Sequence, residues 1–244
     1  MTEGLSARQI QILKSLIEEY VETADPVGSE TLDKKYNLGV SSATIRNEMI
    51  ELTNIGYLRQ PHTSSGRVPT PKAMKFYIGQ LMEERQMGLA EEVKTKEDVW
   101  DVRNDMEKLL EEATHVLAAK TKALAVATLN DSDRIWHSGY ANIFLNPEFA
   151  DLEATANLFS FLEEVQKMQE LFFEKATGGT VVEVLFGEEM GWPEIASTGI
   201  VVARFNAGGH EGALGIIGPA RLSYSTVIPM MRYFKSLIEE IAGA

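Results

Sequence analysis

The chain has 244 residues, of which 44% are hydrophobic and none is cysteine. This composition predicts a packed core in one large or two small domains, and it excludes structural disulfides and thiolate metal sites. The formal net charge of −13 argues against nucleic acid as a partner of the chain as a whole. There is no apolar signal segment and no run of about 18 apolar residues. We therefore expect a cytoplasmic protein with no membrane partner.

The charge is unevenly distributed along the chain. Residues 1–85 contain 10 Lys and Arg against 11 Asp and Glu, whereas residues 86–244 contain 13 against 25. Within 34–75, seven basic residues stand against two acidic ones, a local net charge of +5. Because phosphate contact requires a locally basic surface and not a basic protein, DNA remains open as a partner of this segment.

Three helices are predicted in the first 55 residues. Apolar residues at helical spacing, polar N-caps and a break at Pro26 place them at 6–22, 30–36 and 41–55. The turn between the second and third helices contains Gly39, which can supply a positive φ. Ile45, Met49 and Leu52 are spaced to form the buried face of the third helix.

The opposite face of the third helix is small, basic and amide-bearing. This is typical of a recognition helix, whose N-terminal half enters the major groove. Arginine pairs with guanine and asparagine with adenine, while hydroxyls at a helix N-terminus suit phosphate. The DNA contacts expected from this helix are Ser41, Ser42, Ala43, Thr44, Arg46, Asn47 and Ile50. An ordinary solvated face is the alternative, and the neighbouring elements disfavour it.

Two short strands follow, at 57–59 and 67–68, and they enclose a polar tip. The tip has no apolar residue to bury, so it must project into solvent or onto a partner. We expect contacts to the DNA backbone or minor groove from Arg59, His62, Thr63, Ser64, Ser65 and Arg67. Local hydrogen bonding within the turn is the alternative for His62. Thr70-Pro71 starts a further helix that ends near Arg85, which completes a predicted winged helix-turn-helix domain over 1–85.

Residues 86–120 are predicted to form a hinge and a long linker helix, the helix running from Asp98 to about Lys120. Its apolar residues are spaced alternately by three and four, which is the a/d spacing of a coiled coil. This heptad stripe is a candidate dimer contact, formed by Val99, Val102, Met106, Leu109, Ala113 and Val116. One face of a core helix is the alternative, and it is the commoner outcome for so short a stripe.

Residues 121–244 alternate between strand and helix patterns, which predicts an antiparallel α+β domain. Strands are expected at 123–128, 134–137, 180–186, 198–206 and 213–217, and helices at 152–176 and 225–241, with a loop at 187–189. Gly212, Gly215 and Gly218 are assigned to strand ends and turns, because they lack the spacing of a phosphate-binding loop. No nucleophile, base or metal set is present. We therefore expect no catalytic activity, no metal and no cofactor.

Several strings resemble the HrcA family of bacterial heat-shock repressors. PVGS at 26–29, SSATIRNEM at 41–49 and GYLRQPHTSSGRVPT at 56–70 are similar to its N-terminal domain. ANIFLNPEFAD at 141–151, GEE at 187–189 and GIIGPARLSY at 215–224 are similar to its C-terminal segments. The resemblance implies a GAF-like fold for 121–244. It also implies a dimeric repressor that binds an inverted-repeat operator of the CIRCE type upstream of chaperone operons, with the GroEL chaperonin as a partner.

The chain departs from the family pattern in length. HrcA proteins carry further strands and an inserted dimerising domain between the strands that end near Thr128 and begin near Arg134, where this chain has residues only for a turn. The dimer contact is then expected on the 98–120 helix and the shortened sheet. Two other functions stay open, a regulator whose GAF-like domain binds a small effector and a protein-interaction module without DNA binding.

Overall fold

The computed structural model describes residues 4–177 and 179–242. The chain divides into two compact units, Met1–Glu83 and Glu84–Ala244. The first unit contains helices α1 (Ala7–Thr23), α2 (Ser29–Lys35) and α3 (Ser42–Asn54), strands β1 (Leu58–Arg59) and β2 (Val68–Pro69), and helix α4 (Pro71–Phe76) with a π-helical turn at Tyr77–Leu81. This order of elements is the one that the sequence predicts for the region.

Local signals fix the ends of these helices. Ser6 and Gln9 form a capping box at the start of α1, each side chain bonding the backbone N–H of the other residue. Thr70 caps α4 by accepting from the Ala73 N–H, with proline in the first turn. The turn before α3 contains Gly39 at a φ of +68°, the positive value expected there.

The core of the first unit is formed by one face of each helix. Ile45, Met49 and Leu52 of α3 are buried, as their spacing predicts. Helix α1 packs against α3, and four of its residues are fully buried, which are Ile12, Leu13, Leu16 and Ile17. Strands β1 and β2 pair antiparallel, and an isolated bridge between Val27 and Arg67 ties this hairpin to the chain before α2.

A five-stranded antiparallel sheet is the centre of the second unit. Its strands are β3 (Leu124–Leu129), β4 (Ile135–Ser138), β5 (Glu183–Phe186), β6 (Thr198–Ala207) and β7 (His210–Pro219), in the order β4-β3-β7-β6-β5. Strands β6 and β7 form a hairpin that turns at Gly208 and Gly209, both at positive φ. The antiparallel α+β architecture predicted from the sequence is therefore confirmed.

The helices of the second unit pack on this sheet or on one another. They are α5 (Leu89–Trp100), α6 (Met106–Thr121), α7 (Tyr140–Ile143), α8 (Leu152–Glu163), α9 (Val165–Gln169), α10 (Gly187–Met190) and α11 (Tyr224–Ile241), with a π-helical turn at Glu170–Lys175 after α9. Phe161, Met168 and Phe172 from the α8–α9 region form a core cluster with Leu124 and Ile200 of the sheet. Helices α6 and α11 also pack against the sheet. No helix among the described residues is long and apolar enough to cross a membrane.

The prediction of one long helix over 98–120 is wrong. Helix α5 ends at Trp100 and α6 begins at Met106, because Asp105 takes an extended conformation and caps α6 through the Lys108 N–H, 3.2 Å away. Val102 lies in the intervening turn, so the heptad stripe is not continuous.

The structure also contradicts the heptad stripe as an exposed dimer contact. Val99, Leu109, Ala113 and Val116 are buried within the single chain, and Met106 is half-buried. Side chains already packed in the core of their own unit cannot face a second copy at the same time. The stripe is therefore a core face split between two helices.

Three smaller predictions in this unit are also wrong. The helix expected over 152–176 is interrupted at Glu164, which is extended between α8 and α9. Residues 187–189 lie in the short helix α10 and not in a loop. Gly212 and Gly215 lie inside β7 and not at a strand end or turn, whereas Gly218 is the last residue but one of that strand. Close packing explains why these positions are glycine. A Cβ at Gly212 would lie 2.3 Å from the Phe205 ring, and one at Gly215 would lie 2.5 Å from the Phe172 ring.

Candidate nucleic-acid interface

The exposed face of α3 begins at its N-cap. The Ser41 Oγ accepts from the Thr44 N–H at 3.3 Å and fixes the first turn. The side chains of Ser42 and Thr44 are half-buried, with the Ser42 Oγ 3.1 Å from the Ser29 Oγ and the Thr44 Oγ1 3.1 Å from the Ser41 Oγ. Five of the predicted contact residues on this helix are exposed, namely Ser41, Ala43, Arg46, Asn47 and Ile50.

Local hydrogen bonds shape the hairpin tip. The Gln60 Nε2 donates to the carbonyl oxygens of Thr63 and Ser65, at 2.9 and 3.0 Å. The Ser65 Oγ donates to the His62 carbonyl at 2.7 Å and accepts from the His62 N–H at 3.0 Å. The side chains of His62, Thr63 and Ser64 stay exposed on the outside of this small network. Gln60 was not predicted as a site residue, and its position between a strand and a polar tip was the only sequence signal for it.

A groove of about 640 Å³ lies between α3, the start of α2 and the hairpin. Six of the predicted residues line it, which are Arg46, Ile50, Thr63, Ser64, Ser65 and Arg67. The other seven, Ser41, Ser42, Ala43, Thr44, Asn47, Arg59 and His62, do not line it. Sequence reasoning missed the wall contributed by α2 and the chain before it, with Ser29, Glu30 and Thr31, because short polar segments give no periodic signal of their own.

The positive charge at the groove is smaller than the count over 34–75 suggests. Lys35 binds Glu19 and Glu22 at 2.7 and 2.8 Å, and these hydrogen bonds hold the pKa of Lys35 above its usual range. Among the described residues, Arg46 has no hydrogen-bond or ion-pair partner, and it is exposed and lines the groove. Glu30 adds one negative charge to the same groove. Arg46 is thus the available cation on the α3 wall.

Arg67 does not extend from the tip as the sequence suggested. It lies at the base of the hairpin, where its Nε donates to the Thr53 Oγ1 at 3.1 Å and its side chain is half-buried against α3. Its backbone N–H and carbonyl both pair with Val27, at 2.9 Å each. Arg67 therefore joins three segments of the first unit.

The second unit offers a separate open pocket of about 570 Å³ at β6 and β7. Four of its charged residues are paired with one another, Arg204 with Glu211 and Lys235 with Glu239. Among residues 4–177 and 179–242, no group of three or more histidine or carboxylate side chains is placed to hold a metal ion.

Comparison with known proteins identifies the relatives of this chain. A model of the HrcA protein C terminal domain matches residues 75–228. The heat-inducible transcription repressor HrcA of Carboxydothermus hydrogenoformans is 26% identical over 339 aligned positions, covering 98% of each chain. The HrcA repressor of Clostridium acetobutylicum is 27% identical, covering 93% of this chain and 94% of its own. A crystal structure at 2.2 Å of a hypothetical protein shares the fold, with a TM-score of 0.76, 18% identity and coverage of 100% and 99%.

These matches place the chain in a class of α+β proteins whose curated members are named heat-inducible transcription repressors. The chain belongs to the HrcA family. An alignment of 339 positions is longer than the 244 residues of this chain, so the relative has residues at positions where this chain has none. Between β3 and β4 the structure has only the turn at 130–134, as the sequence predicts for this shorter chain.

Proposed function

We propose that the chain is a transcriptional repressor of heat-shock operons that binds an inverted-repeat operator of the CIRCE type as a dimer. The observation that carries this proposal is the groove of the first unit, where Arg46 of α3 faces the hairpin tip across an open polar channel. The first unit then acts as a winged helix-turn-helix, with α3 as its recognition helix and the hairpin as its wing. Membership of the HrcA family supports the assignment.

The residues that line the groove and the exposed residues beside it each have a role in this proposal. The N-terminal half of α3 enters the major groove, where Arg46 and Asn47 offer donors to base edges. The hydroxyls around Ser41 and the exposed tip contact phosphates, which fix register without reporting sequence. One bidentate contact to a base discriminates by about 1–3 kcal/mol, so a few such contacts in two half-sites give a specific operator.

A gel shift or fluorescence titration tests DNA recognition. The full chain is titrated with an inverted-repeat CIRCE duplex and with a scrambled duplex of the same composition, at several stated salt concentrations. We expect the operator to bind on the order of 10³-fold more tightly, and binding to weaken as salt rises. Equal affinity for both duplexes contradicts the proposal. Absence of salt-sensitive binding to either supports the alternative of a protein-interaction module.

Regulation by heat is proposed to be indirect. Chaperonin that is not occupied by unfolded protein would keep the repressor active. Heat would act either by occupying the chaperonin with unfolded protein or by unfolding a marginally stable second unit. Operator affinity is measured with and without GroEL, before and after a heat step. We expect the chaperonin to raise the active fraction after heating. An affinity that responds to neither chaperonin nor heat would overturn this part of the proposal.

The dimer contact is proposed on the face that contains α7. Tyr140, Phe144 and Leu145 are 40%, 55% and 73% exposed there, and the Phe159 ring lies 5.4 Å from Tyr140 and 5.8 Å from Phe144. Residues 135–147 contain no Asp, Glu, Lys or Arg, although 86–244 have a net charge of −12. The stretch 135–147 therefore opposes no like charges in a symmetric contact, although the exposed Glu163 of α8 lies one turn beyond Phe159, and this favours a second copy as the occupant.

Sedimentation of a charge variant tests this contact. Phe144→Glu places two negative charges opposite each other in a symmetric interface. We therefore expect the dissociation constant of the dimer to rise at least about tenfold. The matched control is Leu89→Glu, which places the same charge on an exposed apolar residue of α5. Dissociation by the control and not by Phe144→Glu would place the dimer contact elsewhere.

A further inference from the structure

The groove of the first unit has three walls from separate parts of the chain. They are the segment from Pro26 to Thr31, the stretch of α3 that includes Arg46 to Ile50, and the hairpin from Gln60 to Arg67. No regular secondary structure spans all three walls. Their spacing therefore depends on the contacts that join one wall to the next.

Arg67 is joined to each of these walls. Its backbone exchanges two hydrogen bonds of 2.9 Å with Val27, which belongs to the first wall. Its Nε donates to the Thr53 Oγ1 at 3.1 Å, and that hydroxyl donates to the Met49 carbonyl at 2.7 Å, in the second wall. Arg67 itself ends the third wall. A single residue thus connects the start of α2, the helix α3 and the hairpin.

The chemistry of this junction requires arginine and a hydroxyl. The Nε–H of arginine lies part-way along the side chain and donates sideways, whereas lysine has donors only at its tip. The Thr53 hydroxyl accepts from Arg67 and donates to a carbonyl of its own helix, so it transmits the position of the hairpin to the backbone of α3. Both side chains are half-buried. This burial strengthens the hydrogen bond relative to one in water.

We propose that Arg67 and Thr53 are positioning residues that set the distance and angle between the hairpin and α3, and thereby the operator preference of the groove. The inference rests on the proposed function and revises the expected role of Arg67, which acts on DNA through α3 and the tip. Loss of the Arg67–Thr53 hydrogen bond frees the hairpin. It weakens the specific complex, in which tip and helix must engage together, more than it weakens binding to unrelated DNA.

The test uses Thr53→Val, which keeps the shape of the side chain and removes the hydroxyl. Its matched control is Thr53→Ser, which keeps the hydroxyl, and Arg67→Lys keeps the charge without the Nε donor. We expect Thr53→Val and Arg67→Lys each to lower operator affinity about tenfold, and Thr53→Ser to stay within about twofold of the unchanged protein. The double variant Thr53→Val with Arg67→Lys should lose no more than either alone, because both changes break the same bond.

Three readouts separate positioning from direct contact and from simple loss of stability. The slope of log affinity against log salt should stay unchanged in Thr53→Val, since no phosphate contact is removed, and affinity for scrambled DNA should change little. Hydrogen exchange at the amides of 58–68 should be faster in Thr53→Val and Arg67→Lys than in Thr53→Ser, with the rest of the first unit unaffected.

Each result decides between separate claims. Operator affinity of Thr53→Val equal to that of the unchanged protein overturns the inference, as does a loss in Thr53→Ser as large as that in Thr53→Val. Failure of the unchanged protein to prefer its operator refutes the proposed function instead. In that case hydrogen exchange still tests the junction, because equal exchange rates in all variants overturn it without any DNA.

Discussion

Gly66 shows how one residue shapes the groove. A Cβ at this position would lie 2.4 Å from the Val27 carbonyl oxygen and 2.7 Å from that of Pro26. Real side chains do not approach backbone oxygen so closely, so the absence of a side chain is what lets the hairpin base meet the chain before α2. The Val27–Arg67 bridge, and with it the junction at Thr53, depends on this close approach.

We expect Gly66→Ala to destabilise the first unit by about 1–3 kcal/mol, because the backbone must move to admit the methyl group. Gly79→Ala is the matched control, since a Cβ there would meet nothing within 4 Å. Calorimetric melting of the full chain measures both variants. A lower melting temperature for the control than for Gly66→Ala would contradict the role given to Gly66.

The burial of single residues was predictable from the sequence where apolar residues recur at the spacing of a helix. The buried face of α3, with Ile45, Met49 and Leu52, was predicted because helical spacing fixes which side chains share a side. The contacts of Arg67 were not, because its partner Thr53 lies 14 residues away and nothing local selects one hydroxyl over another. Pairings across elements depend on how the elements pack, which the local pattern does not contain.

At the scale of elements, an N-cap decided where a helix begins, although the apolar spacing continued across it. The 98–120 stripe keeps its three-four spacing across 101–105, so the pattern alone predicts one helix. Asp105 interrupts it by bonding the Lys108 N–H and starting a new helix. The strands of the β6–β7 hairpin were predicted, because two apolar runs flank the turn glycines Gly208 and Gly209.

Strand β4 carries a histidine whose ionisation is tied to its packing. His137 is half-buried, its ring centroid is 5.7 Å from that of Tyr140, and its Nε2 has no hydrogen-bond partner among the described residues. Burial lowers the pKa of His137 below the ordinary 6.5. The unfolded chain therefore takes up this proton at a higher pH than the folded chain does. The contribution of His137 to the free energy of unfolding is therefore full above pH 6.5, and it is lost as the pH falls from that value through the lower pKa of the folded state.

We expect His137→Phe to reduce the acid sensitivity of the second unit. The melting temperature of the unchanged protein should fall between about pH 7.5 and about pH 5.5, and that of the variant should fall less. His115→Gln, at an exposed histidine of α6, is the control and should behave like the unchanged protein. An equal fall in His137→Phe would show that this histidine does not contribute.

At the scale of the whole molecule, charge is divided between the two units. Residues 1–85 have a net charge of −1 and include a local +5, whereas 86–244 have a net charge of −12. In the proposed function, the acidic second unit repels the phosphate backbone and so lowers affinity for DNA at large, and recognition is assigned to the first unit. The sequence alone revealed this division, since it requires only counting.

The central claim is that α3 of the first unit reads an operator, and Arg46→Ala tests it most directly. We expect this variant to bind the inverted-repeat duplex about 1–3 kcal/mol more weakly, while its fold and melting temperature stay unchanged. Lys94→Ala removes the same charge from an exposed position of α5 and should bind as the unchanged protein does. If the unchanged protein prefers the operator and Arg46→Ala binds it equally well, α3 is not the recognition helix.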